Sequence, residues 1–359
     1  MRPLRINIVL PFLTTKPNGG AKIMYEYANR LQARGHVVTI IHSIQRPFRK
    51  IKSPVWWKQL NYTLRGLRRP PWFPLHDEVQ SFVVPEITNR RVPDADIVMS
   101  TWWEMTYMIN ELSPLKGRKF NLIQGYETWK GHEEKVHDSY KLPVHHLVIA
   151  NYLEALVKNY SLQPVTLLPN AIDTERFSYV KPFDQRFRHS IVMLYSIEPI
   201  KGSADGIQVV TLLKEQFPDL KVDLFGVYDK PSLPGWINYH KRPHNLPALM
   251  NEGALFFSPS LGEGWALPPA EAMACGCAVV CTNIGGHADY AFDHQTALLA
   301  TPANVEDMVA RLAVLLNDHA LAEKLSHAGR DFITRNFNWE RSLDKLEFLF
   351  DSESGENGI

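Results

Sequence analysis

The sequence of 359 residues has few cysteines, and those it has are clustered. Cys275, Cys277 and Cys281 fall within seven residues, and no histidine or fourth cysteine completes a tetrahedral set of metal ligands beside them. Cys275 ends a short predicted helix, and the other two lie on the strand that follows. We therefore interpret all three as small apolar residues of a protein from a reducing compartment, the cytoplasm.

Long hydrophobic runs and an excess of one charge are also lacking. No segment approaches the roughly 20 apolar residues that span a bilayer, and the apolar run near the amino terminus contains Pro11, which favours a first strand over a signal peptide. The formal net charge is +1, so the overall charge indicates no nucleic-acid partner. The length favours two domains.

Strand and helix patterns alternate through both halves of the sequence. Such alternation predicts doubly wound, mostly parallel sheets and therefore two Rossmann-like domains. Ligands of these sheets bind outside the carboxyl ends of the strands, so we expect the site in the cleft between the domains. The predicted strands are 5–13, 37–43, 81–85, 96–101, 119–124, 145–150, 191–197, 220–226, 236–240, 254–259, 277–282 and 296–300. The predicted helices are 20–34, 103–112, 151–160, 203–216, 245–252, 268–275, 304–316, 318–335 and 338–350.

Residues 258–276 place two carboxylates eight positions apart. Glu263 lies in a Gly-flanked loop, and Glu271 is predicted in the first turn of a helix that starts at Pro268 and ends at Gly276. A helix amino terminus attracts an anion such as a diphosphate, and a nearby carboxylate is better suited to accept hydrogen bonds from sugar hydroxyls. The alternative is that Glu271 only stabilises the dipole of its own helix while Glu263 is solvated.

The whole string resembles the Glu-x7-Glu signature of the retaining GT-B glycosyltransferases of family 4, the "group 1" glycosyltransferases. The resemblance implies that Glu263 lies by the donor sugar and that Glu271 binds the nucleotide ribose. It also assigns the intervening Gly264, Trp265, Ala266 and Leu267 to the donor-binding segment. Upstream, 168–177 resembles the family's Pro-Asn-Gly segment at the domain junction, with Ala171 replacing the usual glycine.

The same resemblance implies an architecture: an α/β GT-B fold of two Rossmann-like doubly wound domains facing across a cleft. The amino-terminal domain, 1–168, would bind the acceptor, and the carboxyl-terminal domain, 169–338, would bind the nucleotide-sugar donor. A last helix, 339–351, would cross back to complete the first domain.

Two basic positions are candidates for the donor diphosphate. Lys201, followed by Gly202, matches the Lys of the family's Arg…Lys-Gly pattern, but the Arg is missing from 195–200, and Arg242 is a candidate replacement. Alternatively, Lys201 is a solvated loop lysine. Gly19 and Gly20 follow the first predicted strand, and the resemblance assigns them to donor binding in a loop that faces the diphosphate and the acceptor. Glycine there lets backbone approach a ligand closely, although an ordinary tight turn also explains both residues.

Four residues after the fourth and fifth strands are assigned to the acceptor side. They are Trp103 and Glu104 in Thr-Trp-Trp-Glu, and Tyr126 and Glu127 in Gln-Gly-Tyr-Glu. Aromatic rings beside carboxylates suit a carbohydrate, although they also suit a packed loop. A further segment, 285–289, resembles the family's Gly-Gly-x-x-Glu turn, with Asp289 in place of the glutamate.

The implied reaction transfers a sugar from a nucleotide-diphosphate donor to a glycan or lipid-linked acceptor, with retention at the anomeric carbon. Lys201 and helix amides would stabilise the leaving diphosphate. We expect no cofactor and no divalent metal. Two alternatives stay open: a nucleotide-sugar epimerase, and a nucleotide-sugar-binding protein without transferase activity.

Residues 45–76 form a basic, aromatic insert with eight Lys or Arg and no acid. At 100° per residue, Trp56, Trp57, Leu60, Leu64 and Leu67 share one helix face, and Lys58, Arg65, Arg68 and Arg69 share the other. This pattern is typical of an interfacial helix on an anionic membrane surface, which would deliver a lipid-linked acceptor. The alternative is a helix packed on the core with a solvated basic face.

Overall fold

The computed structural model describes residues 2–49, 53–128 and 131–352, and of Ser352 it describes only the backbone. These residues group into two compact units. Unit 1 comprises the chain up to Pro169 together with the residues from Leu343 onward, and unit 2 comprises Asn170–Ser342. Both units are built on a parallel sheet.

The sheet of unit 1 has seven parallel strands in the order β3-β2-β1-β4-β5-β6-β7. Its central strand β1 pairs with β2 and β4 in a register that sets Ile8 beside Ile40 and Met99. All three side chains are buried, as expected where helices cover both faces of a parallel sheet. The strands are β1 (Arg5–Leu10), β2 (Val37–Ser43), β3 (Gln80–Val84), β4 (Ile97–Thr101), β5 (Arg118–Ile123), β6 (His145–Val148) and β7 (Val165–Leu167).

Six helices belong to this sheet. They are α1 (Gly19–Ala33), α2 (Val55–Leu64), α3 (Trp103–Asn110), α4 (Glu133–Tyr140), α5 (Asn151–Lys158) and α11 (Trp339–Ser352). The sequence patterns did not predict α4 or β7. Only three residues of α4 are buried, and β7 is three residues long, so neither carries a periodic signal of useful length.

The insert forms a shorter helix than its periodicity predicts. Helix α2 ends at Leu64, because the chain turns at Gly66 with a φ of +62° that favours glycine. Leu67, Arg68 and Arg69 therefore lie beyond the helix, which corrects the predicted faces. Lys50 and Lys52 of the insert lie outside the described residues.

The sheet of unit 2 has six parallel strands in the order β10-β9-β8-β11-β12-β13. The strands are β8 (Phe187–Leu194), β9 (Lys221–Gly226), β10 (Ile237–Lys241), β11 (Gly253–Ser258), β12 (Ala278–Thr282) and β13 (Leu298–Ala300). The helices are α6 (Ser203–Gln216), α7 (Leu246–Glu252), α8 (Leu267–Ala274), α9 (Val305–Asn317) and α10 (His319–Asn336). The alternation in the sequence thus corresponds to two parallel α/β sheets, and the predicted α/β fold class is confirmed.

Local sequence signals explain several helix boundaries. The side chain of Asn304 accepts a hydrogen bond from the amide of Asp307, and so caps α9 as its sequence predicts. Gly276 follows α8 with a φ of +81°, and a Cβ there would overlap the ring of Tyr179. This glycine therefore serves both the turn and the close packing.

The last helix supplies contacts to unit 1 from its Leu343–Ser352 part. The ring of Phe350 packs edge-on against Phe120 of β5 at 5.1 Å. Arg34, which caps α1, donates to Asp344 at 2.7 Å and to Glu347 at 2.5 Å. These contacts explain why this segment groups with unit 1 although it is distant in sequence.

Candidate functional site

Lys201 lies in a tight loop at the carboxyl end of β8. A short 3-10 helix, Pro199–Lys201, leads into Gly202, which has a φ of +61° and starts α6. A Cβ on Gly202 would overlap the backbone of Pro259, so only glycine fits there. The amide of Leu261 donates to the carbonyl of Ile200 at 2.7 Å. The loop after β8 is therefore fixed against the loop after β11.

This arrangement joins Lys201 to Glu263 in an ion pair. Lys201 Nζ donates to Glu263 Oε1 at 2.8 Å and to Oε2 at 2.7 Å. The side chains are 25% and 11% exposed, so the pair is partly shielded but still reaches solvent. Ser260 Oγ also donates to Glu263 Oε1, at 2.9 Å. Lys201 is thus not a solvated loop lysine, and a small pocket is lined by these three residues together with Pro268.

The Gly285-Gly286 turn packs directly on Glu263. A Cβ added to Gly286 would lie 2.6 Å from the carbonyl oxygen of Glu263, so the turn needs glycine at this position. His287, the next residue, is buried and hydrogen-bonds through Nδ1 to the carbonyl of Thr282 at 2.8 Å. The loops after β8, β11 and β12 therefore meet at one edge of the sheet, with Glu263 between them.

Glu271 lies in α8, which starts at Leu267. The helix begins one residue earlier than predicted, so Glu271 falls in its second turn and not in the first. Glu271 is only 5% exposed. A glutamate so far inside a helix is a weak dipole partner for the amino terminus, which argues against a dipole-only role. Its role toward a ribose remains a prediction.

The segment between the two glutamates is held by its backbone. The amide of Ala266 donates to the carbonyl of Gly286 at 3.1 Å, and its carbonyl accepts from Tyr290 Oη at 2.8 Å. Trp265 is buried against Tyr290, with ring centroids 4.8 Å apart. Gly264 and Leu267 stay partly exposed. Trp265 and Ala266 therefore shape this segment, whereas Gly264 and Leu267 are accessible to a ligand.

Arg242 follows β10 at the same carboxyl edge. Its amide donates to the carbonyl of Gly226 at 2.7 Å, and its φ is +49°, an unusual value for a residue with a side chain. The side chain is exposed. Strand β10 is two strands from β8, so with strands about 4.8 Å apart the two carboxyl ends lie roughly 10 Å from each other. The structure records no contact between Arg242 and the Lys201–Glu263 pair, and its use as a second cation stays a prediction.

In unit 1, Gly19 and Gly20 are the first two residues of α1 and not part of a free loop. Asn18 caps the helix by accepting from the amide of Ala21 at 2.9 Å. The carbonyl of Gly20 accepts from Gln124 Nε2 at 3.0 Å, which ties the helix start to the end of β5. A Cβ on Gly19 would meet no atom within 4 Å, so this position is open.

Trp103 and Glu104 are both buried, at 2% and 0% exposure. Glu104 pairs with Arg49 at 2.5 Å and with Arg46 at 3.5 Å. The indole of Trp103 is stacked on Phe48 at 5.5 Å. Neither side chain has exposed surface for an acceptor. Their acceptor-side role stays a prediction, and it would have to be indirect, through the residues that they contact.

Arg46 and Arg49, the two partners of Glu104, were not predicted as site residues from the sequence. They lie after β2, at the same sheet edge as Glu104, and their side chains are 24% and 23% exposed. Arg46 also lies over the rings of Phe12 at 5.2 Å and Trp102 at 5.9 Å. In the sequence they looked like part of the basic insert, and no local spacing links them to a glutamate more than 50 residues away.

Tyr126 and Glu127 lie at this edge too, and both are half-buried. Tyr126 Oη donates to Glu133 at 3.1 Å and contacts His137 Nε2 at 2.9 Å. Glu127 accepts a hydrogen bond from the amide of Trp103 at 3.0 Å. Desolvation outweighs this bond and raises the pKa of Glu127 to about 8. This raised pKa favours the protonated form of Glu127 at neutral pH.

Metal ligands are not clustered in the described part of the chain. One Asp-x-Asp sequence does occur in the first half, Asp94-Ala-Asp96, and it lies before β4, at the opposite end of the strand from Glu104. Asp94 pairs with Lys116 at 2.6 Å and Asp96 with Arg5 at 3.3 Å. Both aspartates are therefore held in ion pairs with basic residues of unit 1. In the same described ranges, no helix is long and apolar enough to cross a membrane.

Comparison with known proteins identifies sequences and structures similar to this chain. The family of group 1 glycosyl transferases matches residues 176–332. Glycogen synthase of Mycobacterium tuberculosis is 24% identical over 194 residues, which is 50% of this chain and 46% of that protein. The MMP alpha-(1->4)-mannosyltransferase of Mycolicibacterium hassiacum is 27% identical over 204 residues, or 52% and 48%. The chain therefore matches about half the length of these curated relatives.

Solved structures resemble the whole chain. Sucrose-phosphate synthase from Thermosynechococcus elongatus has a TM-score of 0.72 at 15% identity and covers 97% of this chain and 98% of its own. Anabaena HepE, solved in complex with UDP, has a TM-score of 0.74 at 12% identity and covers 97% and 100%. The fold class predicted from the sequence is confirmed as GT-B. Residues 176–332 of this chain are similar to the group 1 glycosyl transferases.

Proposed function

We propose that this protein is a glycosyltransferase that moves a sugar from a nucleotide-diphosphate donor to a glycan or lipid-linked acceptor. The observation that carries the proposal is the Lys201–Glu263 pair at the carboxyl edge of the unit 2 sheet. The similarity of residues 176–332 to the group 1 glycosyl transferases supports the same activity. HepE, a structural neighbour, was solved with UDP and glucose, which supports a nucleoside diphosphate as the ligand.

Donor binding would exchange partners at this pair. A diphosphate carries more negative charge than Glu263, so it competes for Lys201 Nζ. Once Lys201 turns to the phosphate, the Glu263 carboxylate keeps the hydrogen bond from the Ser260 hydroxyl at 2.9 Å and can accept further bonds from sugar hydroxyls. Glu271, in the adjoining helix, is the candidate for the ribose hydroxyls. Arg242, exposed near the end of β10, is the candidate second cation.

We also propose that transfer proceeds with retention and without a divalent metal. Lys201 and backbone amides near the start of α8 would stabilise the charge that develops on the diphosphate. A double displacement needs a carboxylate nucleophile beside the anomeric carbon. Glu263 is bound by a lysine and a serine, which favours a role in holding hydroxyls over a role as a nucleophile.

The acceptor side is proposed to be the carboxyl edge of unit 1, where Tyr126 and Glu127 are half-buried at the end of β5. Because its raised pKa favours the protonated form of Glu127 near neutral pH, this residue is suited to donate a hydrogen bond to an acceptor oxygen. The protein is proposed to act in the cytoplasm, at the inner face of the membrane. The three free, buried cysteines support the reducing compartment.

A thermal-shift screen against UDP, GDP and dTDP tests this proposal. A transferase or an epimerase should be stabilised by one diphosphate well above the corresponding nucleoside. The stabilisation should persist in excess EDTA, since the described residues hold no metal cluster. No stabilisation by any of the three diphosphates would contradict the proposed function. Turnover of the matching nucleotide sugar only when an acceptor is supplied would distinguish a transferase from an epimerase, and binding without turnover would indicate a silent binding protein.

A further inference from the structure

Helix α2 turns its apolar side outward. The face formed by Val55, Lys58, Gln59 and Tyr62 is half-buried against unit 1, whereas the opposite face carries the large apolar side chains. Trp56 is 66% exposed, Trp57 54%, Leu60 42% and Leu64 77%. A helix of a globular domain normally directs its apolar stripe to the core. Here the orientation is reversed, and none of the residues of α2 is buried.

The exposed face is one continuous surface. Its four residues fall within about 100° of each other at 100° per residue, and the indoles of Trp56 and Trp57 meet edge to face at 5.7 Å. Among the described residues nothing covers this face, since its four side chains are 42% to 77% exposed. The alternative of a helix packed on the core is therefore wrong for the apolar side.

Basic residues border this surface. Lys58 is half-buried on the flank of α2, and Arg65 and Arg68 are exposed just after its end. Arg46 and Arg49 are paired with Glu104, and Arg69 donates to three backbone carbonyls, so these three are structural. No acid occurs from 45 to 76. The charge that remains available within residues 45–76 is therefore of one sign.

The loop that leads to α2 is bound to the acceptor edge of unit 1. Phe48, with a φ of +63°, stacks on Trp103 at 5.5 Å, and Arg49 donates to Glu104 at 2.5 Å. Helix α2 begins six positions after Arg49. Its exposed face is thus held close in sequence to the edge where Tyr126 and Glu127 lie.

From these observations we propose that α2 is a membrane anchor whose Trp56-Trp57-Leu60-Leu64 face inserts into the interface of an anionic lipid bilayer. Tryptophan and leucine partition into the headgroup region, and the bordering cations attract anionic lipid. A protein partner would explain the apolar face but not the absence of acids around it. The anchor rests on the proposed function only for its consequence, which is that the acceptor is lipid-linked.

Flotation with lipid vesicles tests the anchor without using enzymatic activity. The protein should float with vesicles of phosphatidylglycerol and phosphatidylcholine at 50 mM salt and remain behind with pure phosphatidylcholine. Trp56→Ser/Trp57→Ser/Leu60→Ser should lower partitioning at least tenfold. Lys58→Gln, Arg65→Gln and Arg68→Gln should each lower it about fivefold, which corresponds to roughly 1 kcal/mol per basic residue.

Leu115→Ser/Leu162→Ser is the matched control, because these leucines are 70% and 86% exposed elsewhere on unit 1. It should float like the wild type. Brominated lipids should quench the tryptophan fluorescence of the wild type. The Trp56→Phe/Trp57→Phe variant should still float with the vesicles, but its fluorescence should be quenched less. Circular dichroism verifies that each variant is folded.

Three results would overturn the anchor. The first is a wild type that never floats at low salt, and the second is equal binding to neutral and anionic vesicles. The third is a concentration-dependent dimer that the serine triple variant abolishes, because a second copy of the chain would then be the occupant of this face. If the protein floats but no nucleoside diphosphate binds, the anchor stands and the proposed function fails.

Discussion

Breaking the Lys201–Glu263 pair tests how the donor site works. Lys201→Gln removes a cation that makes two charged hydrogen bonds, at 2.8 and 2.7 Å, to a carboxylate that is only 11% exposed. Loss of a fully buried partner costs about 3–5 kcal/mol. Because this lysine is 25% exposed and Ser260 still donates to the carboxylate, we expect a smaller loss, about 2 kcal/mol in the free energy of unfolding.

The two single variants should affect nucleoside diphosphate affinity in opposite directions. Lys201→Gln removes the phosphate cation and should weaken binding at least tenfold. Glu263→Gln releases Lys201 and removes a negative charge near the diphosphate. It should strengthen binding about fivefold, or about 1 kcal/mol at a partly solvated site.

Urea unfolding and isothermal titration calorimetry of both variants and their double variant measure these effects. The double variant should show a coupling energy of about 1–2 kcal/mol in stability. Ser260→Ala is the control that leaves the ion pair in place, and it should change affinity less than twofold. If Glu263→Gln weakens diphosphate binding as much as Lys201→Gln does, the pair persists in the bound state and the partner exchange is wrong.

Three further predictions concern other parts of the site. Glu271→Ala should abolish stabilisation by the preferred nucleoside diphosphate in thermal shift while the apo protein keeps its circular dichroism spectrum; unchanged affinity would remove the ribose role. Gly286→Ala should cost about 2 kcal/mol or more in unfolding free energy and most of the turnover, since its Cβ would press on Glu263, whereas Gly19→Ala, at an open position, should fold normally. Glu127→Gln should gain stability relative to the wild type as the pH rises from about 4.5 to 8. The reason is that the unfolded carboxyl ionises near its ordinary pKa of 4.5 while the folded one stays protonated up to about 8, and parallel pH-stability curves would contradict this pKa.

Local patterns were enough to predict the α/β fold class and the helix that carries Glu271. Alternating strand and helix periods predicted the parallel sheets, and the prolines and Gly276 predicted a short helix over 268–275, close to the observed α8. Lys201 was predicted at a strand-to-helix loop, which the structure contains. These features depend on neighbouring residues, and a single sequence reports such neighbours directly.

Contacts between distant segments could not be predicted in this way. Lys201 and Glu263 are 62 positions apart, and nothing local in either segment indicates that they pair. The sequence placed Gly286 in a turn that resembles the family's Gly-Gly-x-x-Glu segment, but it did not indicate that this turn packs on Glu263. Arg46 and Arg49 carried only the signal of a basic run, and their partner Glu104 was read as a ligand-facing carboxylate. Tertiary packing decides all three cases.

The stereochemistry of one turnover tests the central claim most directly. The chain would be incubated in EDTA with an α-linked nucleotide sugar, chosen by the diphosphate that binds best, and with acceptor lipids in anionic vesicles. Proton NMR of the product would report the anomeric coupling. A retaining, metal-independent transferase predicts an α-linked product formed together with one nucleoside diphosphate. A β-linked product, release of free sugar alone, or activity that appears only after magnesium or manganese is added would contradict it.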